Sequence, residues 1–260
     1  MAVSTKEDSW DDDDEAGASD GTSRMSFLDH LEELRKRLVY SCYALLVGCG
    51  ISFFFAVRLT HYLQSYLTRQ GGRLIYTELT GGFMFYFKVG ALAGVILAAP
   101  AIFYQFWMFV APGLYQKEKK IVVPFVLSAS TLFASGVAFA HKVAIPSMLT
   151  FFASFQNAYV DMRPNASDAF DFYVLMVFAF GIVFQLPILV YFLARFGIVS
   201  ARWMWKNFRY AILIIFIVAA IATPTPDPVN QTIFAAPMII LYLLSIGVAW
   251  MFQKKTTPEA

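Results

Sequence analysis

Six apolar runs, separated by charged and turn-forming stretches, constrain this chain more than any other feature. They cover residues 38–57, 83–109, 121–140, 172–193, 210–222 and 231–252, and Lys88 is the one charged residue well inside them. At 1.5 Å of rise per residue, about 20 helical residues cross a hydrocarbon core roughly 30 Å thick. Five of the runs reach that length. The fifth has 13 residues before Thr223-Pro-Thr-Pro-Asp-Pro228, and so covers only about 20 Å. A locally thinned bilayer or shielding by neighbouring helices would accommodate it. With 58% apolar residues and a mean hydropathy of +0.59, soluble classes are excluded. The fold class is all-α, a polytopic membrane protein with six transmembrane helices.

An even number of spans puts both termini on one side. From Arg24 onward that side carries thirteen Lys and Arg against five on the other, so the termini are expected to be cytoplasmic. Residues 25–37 lead into the first span as an amphipathic helix. Phe27, Leu31, Leu34 and Leu38 fall on one side, and Asp29, Glu32, Glu33 and the collar Arg35-Lys36-Arg37 on the other. Before it, residues 1–24 hold eight acids against two basic residues. Too polar to bury surface against the entropy of ordering, this stretch is expected to be a disordered cytoplasmic tail. It has no apolar core or cleavage site of a secretory signal. The organisation is therefore an acidic tail over 1–24, a membrane domain over 25–252 and a short tail over 253–260.

Details inside the runs carry further expectations. Gly90 and Gly94, four residues apart, permit close helix approach. Pro100 is expected to kink its helix. Lys88, near the outer end of the second run, is expected to snorkel to the interface. Residues 141–171 read as the longest loop, with an apolar piece over 147–155 lying on the membrane surface. Cys42 and Cys49 lie two turns apart on one face, about 10 Å, too far to bridge.

Enzyme chemistry fails on inventory. His30, His61 and His141 read as lying in three separate loops, and no metal-ligand spacing, nucleophile elbow, phosphate loop or dinucleotide fingerprint occurs. No cofactor, metal or nucleic-acid partner is expected. Ion-coupled transport usually leaves carboxylates or histidine inside the spans, and the runs contain none. A small-solute transporter would have to rely on Gln185 and Gln231. The remaining candidates are the carboxylates Glu32, Glu33 and Glu118 on the terminal side. Glu118, between Lys117 and Lys119-Lys120, is either neutralised in a solvated loop or part of a docking patch for a cationic peptide. In the second case paired arginines would meet carboxylates in bidentate fashion.

Four segments resemble the TatC family, the core subunit of the twin-arginine translocase. They are Phe27-Leu-Asp-His-Leu-Glu-Glu-Leu-Arg-Lys-Arg-Leu38, Tyr104-Gln-Phe-Trp107 through Ala111-Pro-Gly-Leu-Tyr-Gln-Lys-Glu118, Phe180-Gly181 with Phe184-Gln-Leu-Pro187, and Thr225-Pro-Asp-Pro-Val-Asn-Gln231. They occur in the family's order over residues 25–252. The resemblance implies a cup-shaped six-helix receptor in the bacterial inner membrane that binds twin-arginine signal peptides of folded proteins. It also implies single-span partners of the TatA and TatB type, self-association in a larger complex, contact with membrane lipid and use of the proton motive force. By position, Glu33 and Glu118 match the carboxylates that take the arginine pair, with Arg35, Leu114, Phe109 and Trp107 around them. Gln231 and the segment containing Thr223, Thr225 and Asp227 match the region where single-span partners dock. This chain departs from the family at Gln185, where many members have an intramembrane glutamate that titrates. It departs again near Leu243, where a glutamate is often present, and in its acidic tail.

Overall fold

The computed structural model describes residues 27–110, 122–156, 163–222 and 228–252. Among these residues the architecture is helical, with one isolated bridge between Ile75 and Asn165. The first run forms α1 (Phe27–Phe54), continuous with the amphipathic segment. An amphipathic helix that the apolar runs do not announce follows as α2 (Ala56–Gly71). Its buried residues Ala56, Thr60, Leu63 and Leu67 recur every three to four positions, the stripe of a helix lying along the bundle. Gly72, at φ +83°, ends it in a left-handed conformation that suits glycine. The second run is α3 (Gly81–Val110), with Pro100 inside.

The third run differs from expectation. α4 (Val122–Phe139) passes through a π-helical turn (Ala140–Ala144) straight into α5 (Ile145–Ala153). Most of the expected loop after residue 140 is therefore helix, and the piece over 147–155 packs inward through Met148 and Leu149. Pro146 explains the widened turn. It has no N–H to give the carbonyl four residues back, and the Ile145 N–H reaches the Ala140 carbonyl five residues back instead. α6 (Ala166–Val183) and α7 (Leu186–Arg195) form the fourth run, interrupted at Phe184 and Gln185 just ahead of Pro187. α6 starts on Asn165, whose side chain accepts from the Ser167 N–H at 3.1 Å. A short α8 (Ala201–Lys206) precedes α9 (Phe208–Ala222), and α10 (Pro228–Phe252) completes the order.

Five segments are long and apolar enough to cross a membrane: Leu31–Phe54, Gly81–Phe109, Val123–Ala153, Ala166–Arg195 and Gln231–Phe252. α9 gains two residues over the sequence expectation, reaching 15, yet at about 22 Å it remains shorter than a typical core.

Lipid chains are as apolar as leucine, so the spans associate through close packing rather than water exclusion. α1 and α3 meet where a Cβ on Gly94 would lie 2.6 Å from the Cys49 Cα, and one on Gly48 would lie 2.7 Å from the Gly94 carbonyl oxygen. The small-residue pair in α3 thus does what its spacing suggests. α4 and α6 cross equally closely at Gly136, whose Cβ would stand 2.5 Å from the Phe180 carbonyl oxygen. The largest cluster fills the space between α2, α3, α5, α6 and α10 with Phe85, Ile145, Met148, Phe170, Met176, Phe180 and Phe234.

Two polar ties replace expected solvent contacts. Lys88 does not reach out alone to the interface: its ammonium donates to both Asp171 oxygens, at 2.6 and 2.9 Å, joining α3 to α6. All three histidines lie in helices rather than loops, His30 in α1, His61 in α2 and His141 in the π-turn. His141 links three elements. Its Nε2 is 2.9 Å from the Tyr62 hydroxyl and its Nδ1 2.9 Å from that of Tyr173. Tyr66 stacks on the ring and donates its hydroxyl to the His141 carbonyl. Burial, and then the neighbouring Tyr62, push the Tyr66 phenol up to about 12.

The crossing geometry sets a test. Gly136→Ala should lower unfolding stability by about 1–3 kcal/mol through overpacking. Gly50→Ala, where a Cβ meets nothing within 4 Å, should be neutral or gain up to about 1 kcal/mol from helix propensity. Denaturant titration of the two variants in detergent measures the contrast.

Candidate functional site

The first turns of α1 carry the acidic and basic residues singled out in the sequence. Glu33 and Arg37 are one helical turn apart, and their side chains meet at 3.1 Å, as i,i+4 neighbours of opposite charge do. Both are largely covered, with side-chain exposures of 17% and 21%. Arg37 also donates to the Gln105 side-chain oxygen at 3.3 Å. This chain of bonds pins α1 to the far end of α3. The Glu33 carboxylate is therefore not a free acid waiting for a ligand. Its Oε1 already accepts from Arg37. Glu32 and Arg35, on the other side of the helix, are exposed.

The aromatic candidates separate according to their position on α3. Trp107 lies two residues past Gln105, and at about 100° per residue it points to the opposite face, away from α1. There it is buried at 8% exposure, stacked on Phe192 of α7 with centroids 4.2 Å apart and near Phe125 of α4 at 5.9 Å. Its indole Nε1 has no hydrogen-bond partner among the described residues. Tyr191 and Phe252 extend the same aromatic wall. Phe109, a full turn beyond Gln105, returns to the α1-facing side and is half-buried. The family resemblance groups Trp107 and Phe109 around Glu33. The helix keeps Phe109 on that side and assigns Trp107 to the wall that joins α3, α4 and α7. Leu114 and Glu118 lie outside the described residues, so their distance to Glu33 is not part of this geometry.

Gln185 occupies the break between α6 and α7, where its Nε2 donates to the Ala129 carbonyl of α4 at 3.0 Å. Ala129 packs in the same cluster as Trp107, Ile188 and Phe192. Gln185 thus braces the wall from beneath. Gln231 acts similarly at the other edge, donating to the Phe216 carbonyl of α9 at 2.8 Å. Thr223, Thr225 and Asp227 lie outside the described residues. The sequence reading missed Arg37 and Gln105 as members of this region. The four-residue spacing of Glu33 and Arg37 was the available signal for the first, and nothing local signals the second. No group of three or more metal-ligating side chains occurs among the described residues.

Truncating Trp107 should be costly for packing and not for hydrogen bonding. Trp107→Ala is expected to lose about 3–5 kcal/mol of stability, whereas Trp107→Phe, which keeps an aromatic face and gives up only an unpartnered N–H, should lose far less. Unfolding midpoints of the pair decide this.

Residues 29–237 match the family described as Sec-independent protein translocase protein (TatC). Curated relatives of that name include one from Koribacter versatilis, 41% identical over 237 residues, covering 89% of this chain and 87% of the relative. Another, from Desulforapulum autotrophicum, is 44% identical over 235 residues with the same coverage. Two solved structures of the twin-arginine translocase receptor TatC superpose with TM-scores of 0.73 and 0.75 at 33% identity. Both cover 85% of this chain, and 97% and 99% of their own. The chain belongs to the TatC family of Sec-independent protein translocase proteins.

Proposed function

We propose that this protein is the receptor subunit of a twin-arginine export system in the bacterial inner membrane, with both termini cytoplasmic. It takes the signal peptides of folded cargo and scaffolds single-span partners of the TatA and TatB type, in a self-associated complex driven by the proton motive force. It binds and positions rather than turning over a substrate. The observation that carries the reading is the anchored start of α1. Glu33 is held within one turn of the basic collar by Arg37, which Gln105 fixes to α3.

Glu33 and Glu118 are the carboxylates assigned to the arginine pair. The bond to Arg37 uses Oε1 of Glu33, and Oε2 is the oxygen offered to an incoming guanidinium. Arginine is favoured over lysine because a planar guanidinium can give one N–H to Oε2 and keep further fixed donors for a second acceptor, where an ammonium acts as a point charge. Arg35, exposed beside them, together with Leu114, Phe109 and Trp107, would border the peptide's apolar segment. Trp107 does so as part of the supporting wall. Gln231, with Thr223, Thr225 and Asp227, would form the docking edge for single-span partners, where Gln231 holds α10 to α9. Gln185 keeps a hydrogen bond where other members titrate, so coupling to protons does not run through this position.

Photo-crosslinking from position 118 to a labelled signal peptide tests the proposal. An Arg-Arg peptide should crosslink strongly and its Lys-Lys counterpart about tenfold less, the loss of roughly one charge-assisted bond of about 1.5 kcal/mol. A folded variant lacking both carboxylates, Glu33→Ala with Glu118→Ala, should lose capture; retained capture would sink the assignment.

A further inference from the structure

A second built feature lies where α8 meets the end of α10. Six residues are too few to hold a helix alone, so α8 depends on its anchors. The Trp203 N–H donates to the Ser200 hydroxyl at 3.2 Å, and the Tyr242 hydroxyl donates to the Met204 carbonyl at 3.1 Å. Ala201 and Met204 are buried against α7 and α10. With that face turned inward, Arg202, Trp205 and Lys206 face outward and are exposed. They border a cavity of about 480 Å³ whose other side is Ile246, Gly247 and Trp250 of α10. A Cβ on Gly247 would meet nothing within 4 Å, so the floor of the groove is open.

Arg202 and Lys206 are one helical turn apart, close enough to act on one ligand, and neither forms an ion pair with any described residue. Two unneutralised cations stand above an apolar floor that belongs to a membrane-spanning segment, Gln231–Phe252. Trp205 and Trp250, 64% and 72% exposed, flank it as aromatic side chains do at the boundary between hydrocarbon and headgroups. Basic pockets between spanning helices recruit anionic headgroups. The paired cations repel a basic peptide, and an acidic soluble segment gains nothing from the apolar floor in lipid.

We propose that this groove holds an anionic phospholipid, its phosphate between Arg202 and Lys206 and an acyl chain along Ile246, Gly247 and Trp250. The lipid would fasten α8 to the bilayer surface and fix the connection between α7 and α9.

Native mass spectrometry of the full chain in detergent, titrated with phosphatidylglycerol or neutral phosphatidylcholine, tests this. Wild type should prefer phosphatidylglycerol. The double variant Arg202→Gln/Lys206→Gln should lose about thirtyfold in affinity for it, the combined effect expected for two surface cations, with little change for phosphatidylcholine. Gly247→Phe, which fills the groove without touching a charge, should weaken both lipids. Arg58→Gln, an exposed cation elsewhere, is the control and should change neither. Unchanged phosphatidylglycerol binding in the double variant or in Gly247→Phe would overturn the proposal. So would displacement of the lipid by millimolar inorganic phosphate, which would assign the cations to a free anion.

Discussion

Inside a bilayer no water completes a broken backbone hydrogen bond, and the helices of this protein are arranged around that constraint. Two prolines, Pro146 and Pro187, interrupt the spans Val123–Ala153 and Ala166–Arg195, and each interruption is closed by the protein itself. The first becomes a π-turn in which the Ile145 N–H reaches the Ala140 carbonyl. At the second, the Phe184 and Gln185 N–H groups bond back to Phe180 and Ile182, and the Gln185 side chain spends its amide on α4. Hydroxyl groups follow the same rule. Ser128, Ser130, Thr131 and Ser135 along α4 each donate to the carbonyl four residues earlier. All four hydroxyls of α4 are thereby paired within their own helix.

The same economy shapes the candidate site. A carboxylate half-buried near a membrane surface is expensive unless paired, and Glu33 is paired by the residue one turn later. The arrangement places a negative charge where an arginine ligand would need it while keeping that charge compensated before the ligand arrives. Arg37 then has two roles, since its bond to Gln105 also sets the angle at which α1 leaves the bundle. The aromatic wall of Trp107, Phe125 and Phe192 supplies rigidity on the opposite face of α3, and Gln185 supports it through Ala129. A glutamine at that position makes the brace without carrying a titratable charge.

Polar ties at the other end of the bundle serve orientation rather than recognition. Lys88 with Asp171 joins α3 to α6, and the tyrosines around His141 join α2, the π-turn and α6. α2 would otherwise be a 16-residue amphipathic helix of marginal stability. Packed through Leu63 and Leu67 and latched through Tyr62 and Tyr66, it becomes part of the rigid frame. The positively charged edge at α8 is different in kind, because its cations have no counter-charge among the described residues.

The five membrane-length apolar runs, the all-helical class, the close approach at Gly94 and the recognition of the family were legible in the sequence. Each depends on local signals: run length against bilayer thickness, four-residue spacing of small residues, and short contiguous motifs. What lay beyond it were features that arise only when distant segments meet. α2 was hidden because its apolar stripe is too sparse to register as a run. α5 was hidden because the apolar run ends at Ala140, ahead of His141 and Lys142, whereas burial of Ile145 and Met148 in the largest cluster rewards continuing the helix through a widened turn. The pairing of Lys88 with Asp171, 83 positions away, and the turning of Trp107 away from Glu33 follow from helix phase and tertiary packing. Sequence chemistry thus determined which residues carry charge at the start of α1, and the three-dimensional arrangement decided which of them are already engaged.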